Sequence, residues 1–121
     1  MRSVLLKRSL GSVTVFWLDR EEAARRLEEA ATHLVSSRSD VVAVYLFGSL
    51  AEGRAVPGSD ADLLIVLDRS ELRWMDRPAE FSAFFDNAGV PVDLFCYTEE
   101  EAKSVPLAVR VLKQGKLVAH R

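Results

Sequence analysis

The sequence predicts an α+β (α/β) domain, a small mixed β-sheet flanked by helices, and three observations predict it. Three apolar runs rich in β-branched and aromatic residues, at 41–47, 63–67 and 90–97, are too short for typical helices. Stretches with helical spacing lie between and around them, at 20–37, 78–88 and 106–114. The boundaries carry matching signals: Gly48 ends a strand, Gly89 and Gly115 end helices, and Pro78 and Pro106 sit in first turns. Strands alternating with helices build a layered domain of this class.

Taken in order, residues 4–6 and 13–18 are short apolar runs separated by Lys7 to Gly11, which reads as a hairpin or an ordered arm. Asp19 can cap a helix over 20–37. Ala23, Leu27, Ala30, Ala31, Leu34 and Val35 form its apolar face, and Arg20, Glu21, Glu22, Arg25, Arg26, Glu28 and Glu29 cover the others. Val41 to Phe47 reads as a strand buried on both faces. A short helix or turn follows, then a loop with Gly53, Pro57, Gly58 and Ser59, then the strand Leu63 to Leu67. Residues 69–77 are polar and mixed. Pro78 opens a helix that turns Phe81, Phe84, Phe85 and Ala88 inward, and a strand over Val90 to Tyr97 comes next. Thr98 and Glu101 have the spacing of a capping box, Ser104 and Pro106 start a further helix to about Gln114, and Lys116 to Ala119 is a last short strand.

With 121 residues, 49% of them hydrophobic and 28% charged, the chain has the balance of one ordinary globular domain spanning 1–121. Its formal charge of −2, with basic residues scattered, argues against a long nucleic acid as partner. The single Cys96 excludes an internal disulfide and a Cys-based zinc site. No apolar stretch reaches the roughly 18–20 residues that span a bilayer, and the N-terminus lacks a signal-peptide pattern. The expectation is a cytoplasmic protein with no membrane partner.

The chemistry is concentrated where Phe47-Gly48-Ser49 ends one strand and, after the ten residues 50–59, Asp60-Ala61-Asp62 opens the next. Glycine at a strand end lets backbone approach a ligand, and the serine offers a hydroxyl and an amide to phosphate oxygens. Side chains two apart on a strand point the same way, so Asp60 and Asp62 should project together, and their repulsion calls for a cation. Hard oxygen donors with room for phosphate and water suit magnesium better than zinc. Asp93, inside the apolar run Pro91 to Cys96, is a third carboxylate whose placement would be costly without a partner, and a shared metal would supply one.

On these residues the sequence resembles the minimal nucleotidyltransferases of the DNA polymerase β superfamily, whose pattern is Gly-Ser, a spacer near ten, Asp-x-Asp and a later strand Asp. Gly48, Ser49, Asp60, Asp62 and Asp93 match it one for one, and the resemblance runs from about Asp40 to the end, including the Leu112 to Leu117 stretch that ends in Gly-x-Leu. Many relatives carry an Arg soon after the Ser; here Leu50, Ala51 and Glu52 follow, and the first arginine is Arg54.

The resemblance implies a polymerase β palm-like fold and transfer of a nucleoside monophosphate from an NTP, by default ATP, to a hydroxyl. Asp60, Asp62 and Asp93 would be the catalytic residues and the ligands of Mg2+ or Mn2+; Gly48, Ser49 and Arg54 would bind the nucleotide. Small relatives are often paired with a helical HEPN-type protein as a toxin-antitoxin module, the transferase adenylylating a toxin tyrosine. Two rival functions use the same fold: an antitoxin that acts by binding alone, and a stand-alone small-molecule nucleotidyltransferase whose acceptor pocket would need a homo-oligomer.

Plainer readings hold for the remaining candidates. Glu52 and Arg54 read first as solvated helix residues, with Arg54 within sequence reach of a phosphate. Cys96 reads as a small buried apolar residue, His33 and His120 as structural or solvated. Trp17 and Trp74 read as core or rim packing, Trp74 being the better candidate for a contact. Val13, Val15 and Trp17 alternate and could form part of a docking patch.

Overall fold

The computed structural model describes residues 4–121; the side chains of Leu10 and of residues 13–17, and with them the docking patch expected at Val13, Val15 and Trp17, lie outside the described residues. Strands β1 (Leu5–Leu10) and β2 (Val13–Leu18) pair antiparallel as a two-stranded hairpin, with Leu5 opposite Leu18. The first strand runs on through Lys7, Arg8 and Ser9, residues read from sequence as a connector. Backbone pairing with β2 extends it, and Gly11, at φ 64°, makes the tight reversal. The hairpin is tied to the body by its base: Val4 is buried, and its carbonyl accepts from the Asp19 amide at 2.6 Å.

Helix α1 (Arg20–Ser37) begins as expected, the Asp19 carboxylate accepting from the Glu22 amide at 3.1 Å. Ala23, Leu27, Ala31 and Leu34 are its buried stripe. Arg26, assigned from sequence to a solvated face, is buried instead. One turn back, Glu22 accepts its Nε at 3.0 Å, and the long aliphatic stem covers core.

The main sheet has four strands in the order β5-β4-β3-β6: β3 (Val41–Phe47), β4 (Ala61–Leu67), β5 (Val92–Thr98) and β6 (Lys116–His120). β3 pairs antiparallel with β4 and β6, and β4 pairs parallel with β5, so the sheet is mixed as predicted. α2 (Gly48–Ala51) is a single turn between β3 and β4. The parallel pair requires a crossover, supplied by residues 68–91. There the single helix expected over 78–88 is instead α3 (Pro78–Phe81) followed by a 3-10 turn, Ser82–Phe85. Ser82, Phe84, Phe85, Asp86 and Asn87 are middling or weak helix formers, and the tighter winding still buries Phe81, Phe85 and Ala88.

Two cores result, one on each face of the sheet. The larger unites Leu27 and Leu34 of α1 with Val44, Leu46, Leu63, Ile65, Phe81 and Phe85. The smaller packs Leu64 and Val66 against Ala102, Ala108 and Val111 of α4 (Glu99–Ala102) and α5 (Pro106–Gln114). The Thr98/Glu101 capping box is present in full. No helix among the described residues is long and apolar enough to cross a membrane.

Candidate active site

The site forms where β3 ends and β4 begins. Pairing register alone aligns its residues: Phe47 lies opposite Asp62 across the antiparallel pair, and Asp62 lies opposite Asp93 across the parallel one. β4 starts at Ala61, two residues before the boundary read from sequence, so Asp62 is a strand residue and exposed Asp60 immediately precedes it.

Gly48 follows Phe47 with φ 77°, the left-handed region that glycine alone enters freely. A Cβ at this position would collide with Asp62 Oδ2, so the turn and the carboxylate fit together only with no side chain at 48. Ser49 is half-buried in the first turn of α2, and its carbonyl accepts from the Arg54 amide at 2.8 Å, folding residues 49–54 into a compact loop. Arg54 is exposed, its guanidinium engaged by the Glu52 carboxylate.

Electrostatics mark Asp62 out. Burial raises its carboxyl above the usual range, and the neighbouring charges of Asp93 and then Asp60 raise it further. Asp62 thus feels both neighbouring carboxylates, although among the described residues no group of three or more His, Cys, Asp or Glu is gathered tightly enough to form a ready metal cage. Asp93 is exposed on the edge strand β5, so the cost of burying it, inferred from its apolar neighbours in sequence, does not arise. What ties Asp93 to the site is its register beside Asp62.

A cleft of about 420 Å³ opens beside this turn, lined by Phe47, Gly48, Ala51, Glu52, Arg54 and Asp62 on one side and Arg110, Val111, Gln114 and Gly115 on the other. Of the six residues singled out from sequence, Gly48, Arg54 and Asp62 line it, while Ser49, Asp60 and Asp93 do not. The α5 wall was missed. Arg110 and Gln114 are one turn apart on one helix face, yet nothing local in the sequence says which way that face looks. Gly115 sets the wall's position: a Cβ there would lie 2.7 Å from the Val111 carbonyl and 3.4 Å from that of Leu46, so glycine lets the end of α5 close against β3.

A larger cleft, about 600 Å³, lies toward the other end of β4 and is lined in part by Arg38, Asp40 and Arg77. Its arginines are engaged structurally, Arg38 with Asp40 and Glu80, Arg77 with Glu101. Cys96 is buried, which pushes its thiol up to about 12 and leaves it an inert core residue, as expected.

With this geometry, comparison with known proteins is decisive. The family model described as polymerase beta, nucleotidyltransferase, matches residues 29–121. The chain belongs to the polymerase beta nucleotidyltransferase family. Among solved structures, a Sulfolobus solfataricus protein assigned as a nucleotidyltransferase is 27% identical, with 84% of each chain covered and a TM-score of 0.63. Two toxin-antitoxin structures share the nucleotidyltransferase fold. One, with AMP-PNP, is 20% identical over 81% of this chain and 73% of the other, TM-score 0.57. The other, MntA-HepT, is 17% identical over 84% and 73%, TM-score 0.51. No curated protein sequence matches the chain. The nucleotidyltransferase match includes all of Gly48, Ser49, Asp60, Asp62 and Asp93, and leaves the N-terminal hairpin outside.

Proposed function

We propose that this nucleotidyltransferase transfers AMP from ATP to a tyrosine hydroxyl of a separate helical, HEPN-type protein, and so acts as the antitoxin of a pair. The observation that carries the reading is the alignment of the Phe47-Gly48 strand end with Asp62 and Asp93 on the two strands beside it, with the carboxyl of Asp62 raised by its surroundings. A half-buried carboxylate crowded by two others is relieved by a divalent cation, and all three present hard oxygen donors that suit Mg2+ or Mn2+. When bound there, such ions supply counter-charge for a triphosphate and lower the pKa of the attacking hydroxyl. Asp60 and Asp62 would hold one such ion, and Asp93, on the edge strand, would share a second and could accept the proton of the attacking hydroxyl. Ser49 donates its hydroxyl to a phosphate oxygen, and the bare backbone at Gly48 lets that phosphate come close.

The toxin-antitoxin neighbours support the partner assignment, one having AMP-PNP and the other pairing MntA with HepT. The test incubates the full chain with labelled ATP, magnesium and candidate helical partners, then maps the label by mass spectrometry. Label on a partner tyrosine is the expected result; label only on RNA or on a small molecule overturns it. A double variant, Asp60→Asn with Asp62→Asn, separates catalysis from neutralisation by binding alone. It abolishes neutralisation if transfer is the mechanism and spares it if complex formation suffices.

A further inference from the structure

The cleft beside Gly48 carries two arginines on opposite walls, and they differ in their engagement. Arg54 is held by the Glu52 carboxylate within its own loop. Arg110, across the cleft on α5, is exposed, and its side chain makes no hydrogen bond or ion pair among the described residues. Asp62 lines the same cleft, and no ion pair joins it to the guanidinium of Arg110. The guanidinium's five N–H donors remain available to an incoming anion.

We propose that Arg110 is the residue that grips the polyphosphate of the nucleotide from the α5 side, the outer phosphates lying between it and the Gly48 turn. This rests on the nucleotidyltransferase reading and deepens it. The chemistry matches: a guanidinium binds phosphate through parallel N–H···O bonds and stays charged at any working pH. The position is well fixed. Val111, the next residue along, is buried in the smaller core, and Gly115 keeps the end of α5 against β3, so the Arg110 backbone is anchored while its side chain reaches solvent. Arg54 has part of its guanidinium committed to Glu52 through Nη2, which makes it the weaker grip.

Calorimetry on the full chain with magnesium tests this, comparing ATP, AMP and inorganic tripolyphosphate as probes. Because Arg110 is exposed, Arg110→Ala should fold as the wild type does. It should weaken ATP and tripolyphosphate about ten- to a hundredfold, the worth of a charge-assisted hydrogen bond or two, and leave AMP within about twofold. Arg110→Lys should restore part of the ATP affinity, which a purely structural role would not produce. Equal losses for ATP and AMP, or no loss for either, overturn the assignment to Arg110 while wild-type ATP binding upholds the broader reading. A wild-type chain that binds neither ATP nor tripolyphosphate overturns both.

Discussion

At the scale of single residues, Asp62 joins stability to function. Its carboxyl is raised above the ordinary value of 3.8, first by burial and then by Asp93 and Asp60, so the folded chain holds a proton there more tightly than the unfolded chain does. The stability of the metal-free protein therefore falls as pH rises from 3.8 through the folded value, and the penalty persists at neutral pH. Asp62→Asn removes that penalty: in chelator at neutral pH the variant should melt above the wild type, the gap closing as pH falls toward 3.8. Magnesium-dependent ATP binding should be lost in the same variant, and undiminished binding by calorimetry would refute the role given to Asp62. Ser49→Ala should keep the fold and weaken ATP by about 1.5–3 kcal/mol, the value of a hydrogen bond to a charged group. Gly48→Val should do worse, since a side chain at φ 77° is strained and meets the Asp62 carboxylate. Wild-type turnover by both variants would dismiss the phosphate-cradle reading.

At the scale of elements, the crossover between β4 and β5 depends on one buried arginine. Arg77 donates from Nε to the Leu72 carbonyl at 3.0 Å and from Nη1 to the Cys96 carbonyl at 3.2 Å. It also forms a paired contact with Glu101 at 2.6 and 3.2 Å. It thereby fastens the 69–77 segment, β5 and α4 together. Arg77→Leu should cost about 2–4 kcal/mol in chemical denaturation, because it strands the Cys96 carbonyl and removes the partner of Glu101. The pair also leaves a pH signature. The Arg77 guanidinium lowers the Glu101 carboxyl from 4.5 to about 2, so its contribution is full above pH 4.5 and is lost as pH falls from there toward 2. Solvent screening moderates its size, since the Glu101 side chain is 39% exposed. The wild type should lose stability faster than Arg77→Leu across that window; parallel acid profiles would show that the pair contributes little. The capping box was legible beforehand because Thr98 and Glu101 are local in sequence. The second role of Glu101, as acceptor for Arg77, spans 24 residues of chain and was not.

At the scale of the whole molecule, the scattered basic residues and net charge of −2 give little counterion release, so binding to duplex nucleic acid should be weak and should lack a steep salt dependence. Filter binding across a salt series checks this, and tight, salt-steep retention would redirect the search for the acceptor. The sequence by itself determined the fold class, the α1 boundaries, the central strands and the Gly-Ser and Asp-x-Asp pair, because each is written in local patterning: period, caps, glycine stops and fixed spacing. Tertiary structure decided what depends on register and packing. Pairing register set Asp93 beside Asp62 but left it exposed on an edge strand, against the burial argument drawn from its apolar neighbours. Packing drew Arg26 into the core and turned Arg110 and Gln114 toward the cleft. The reason is the same in each case. A residue's chemical partners across a sheet or between layers are distant in the chain, and no local periodicity encodes which of a helix's faces will meet them.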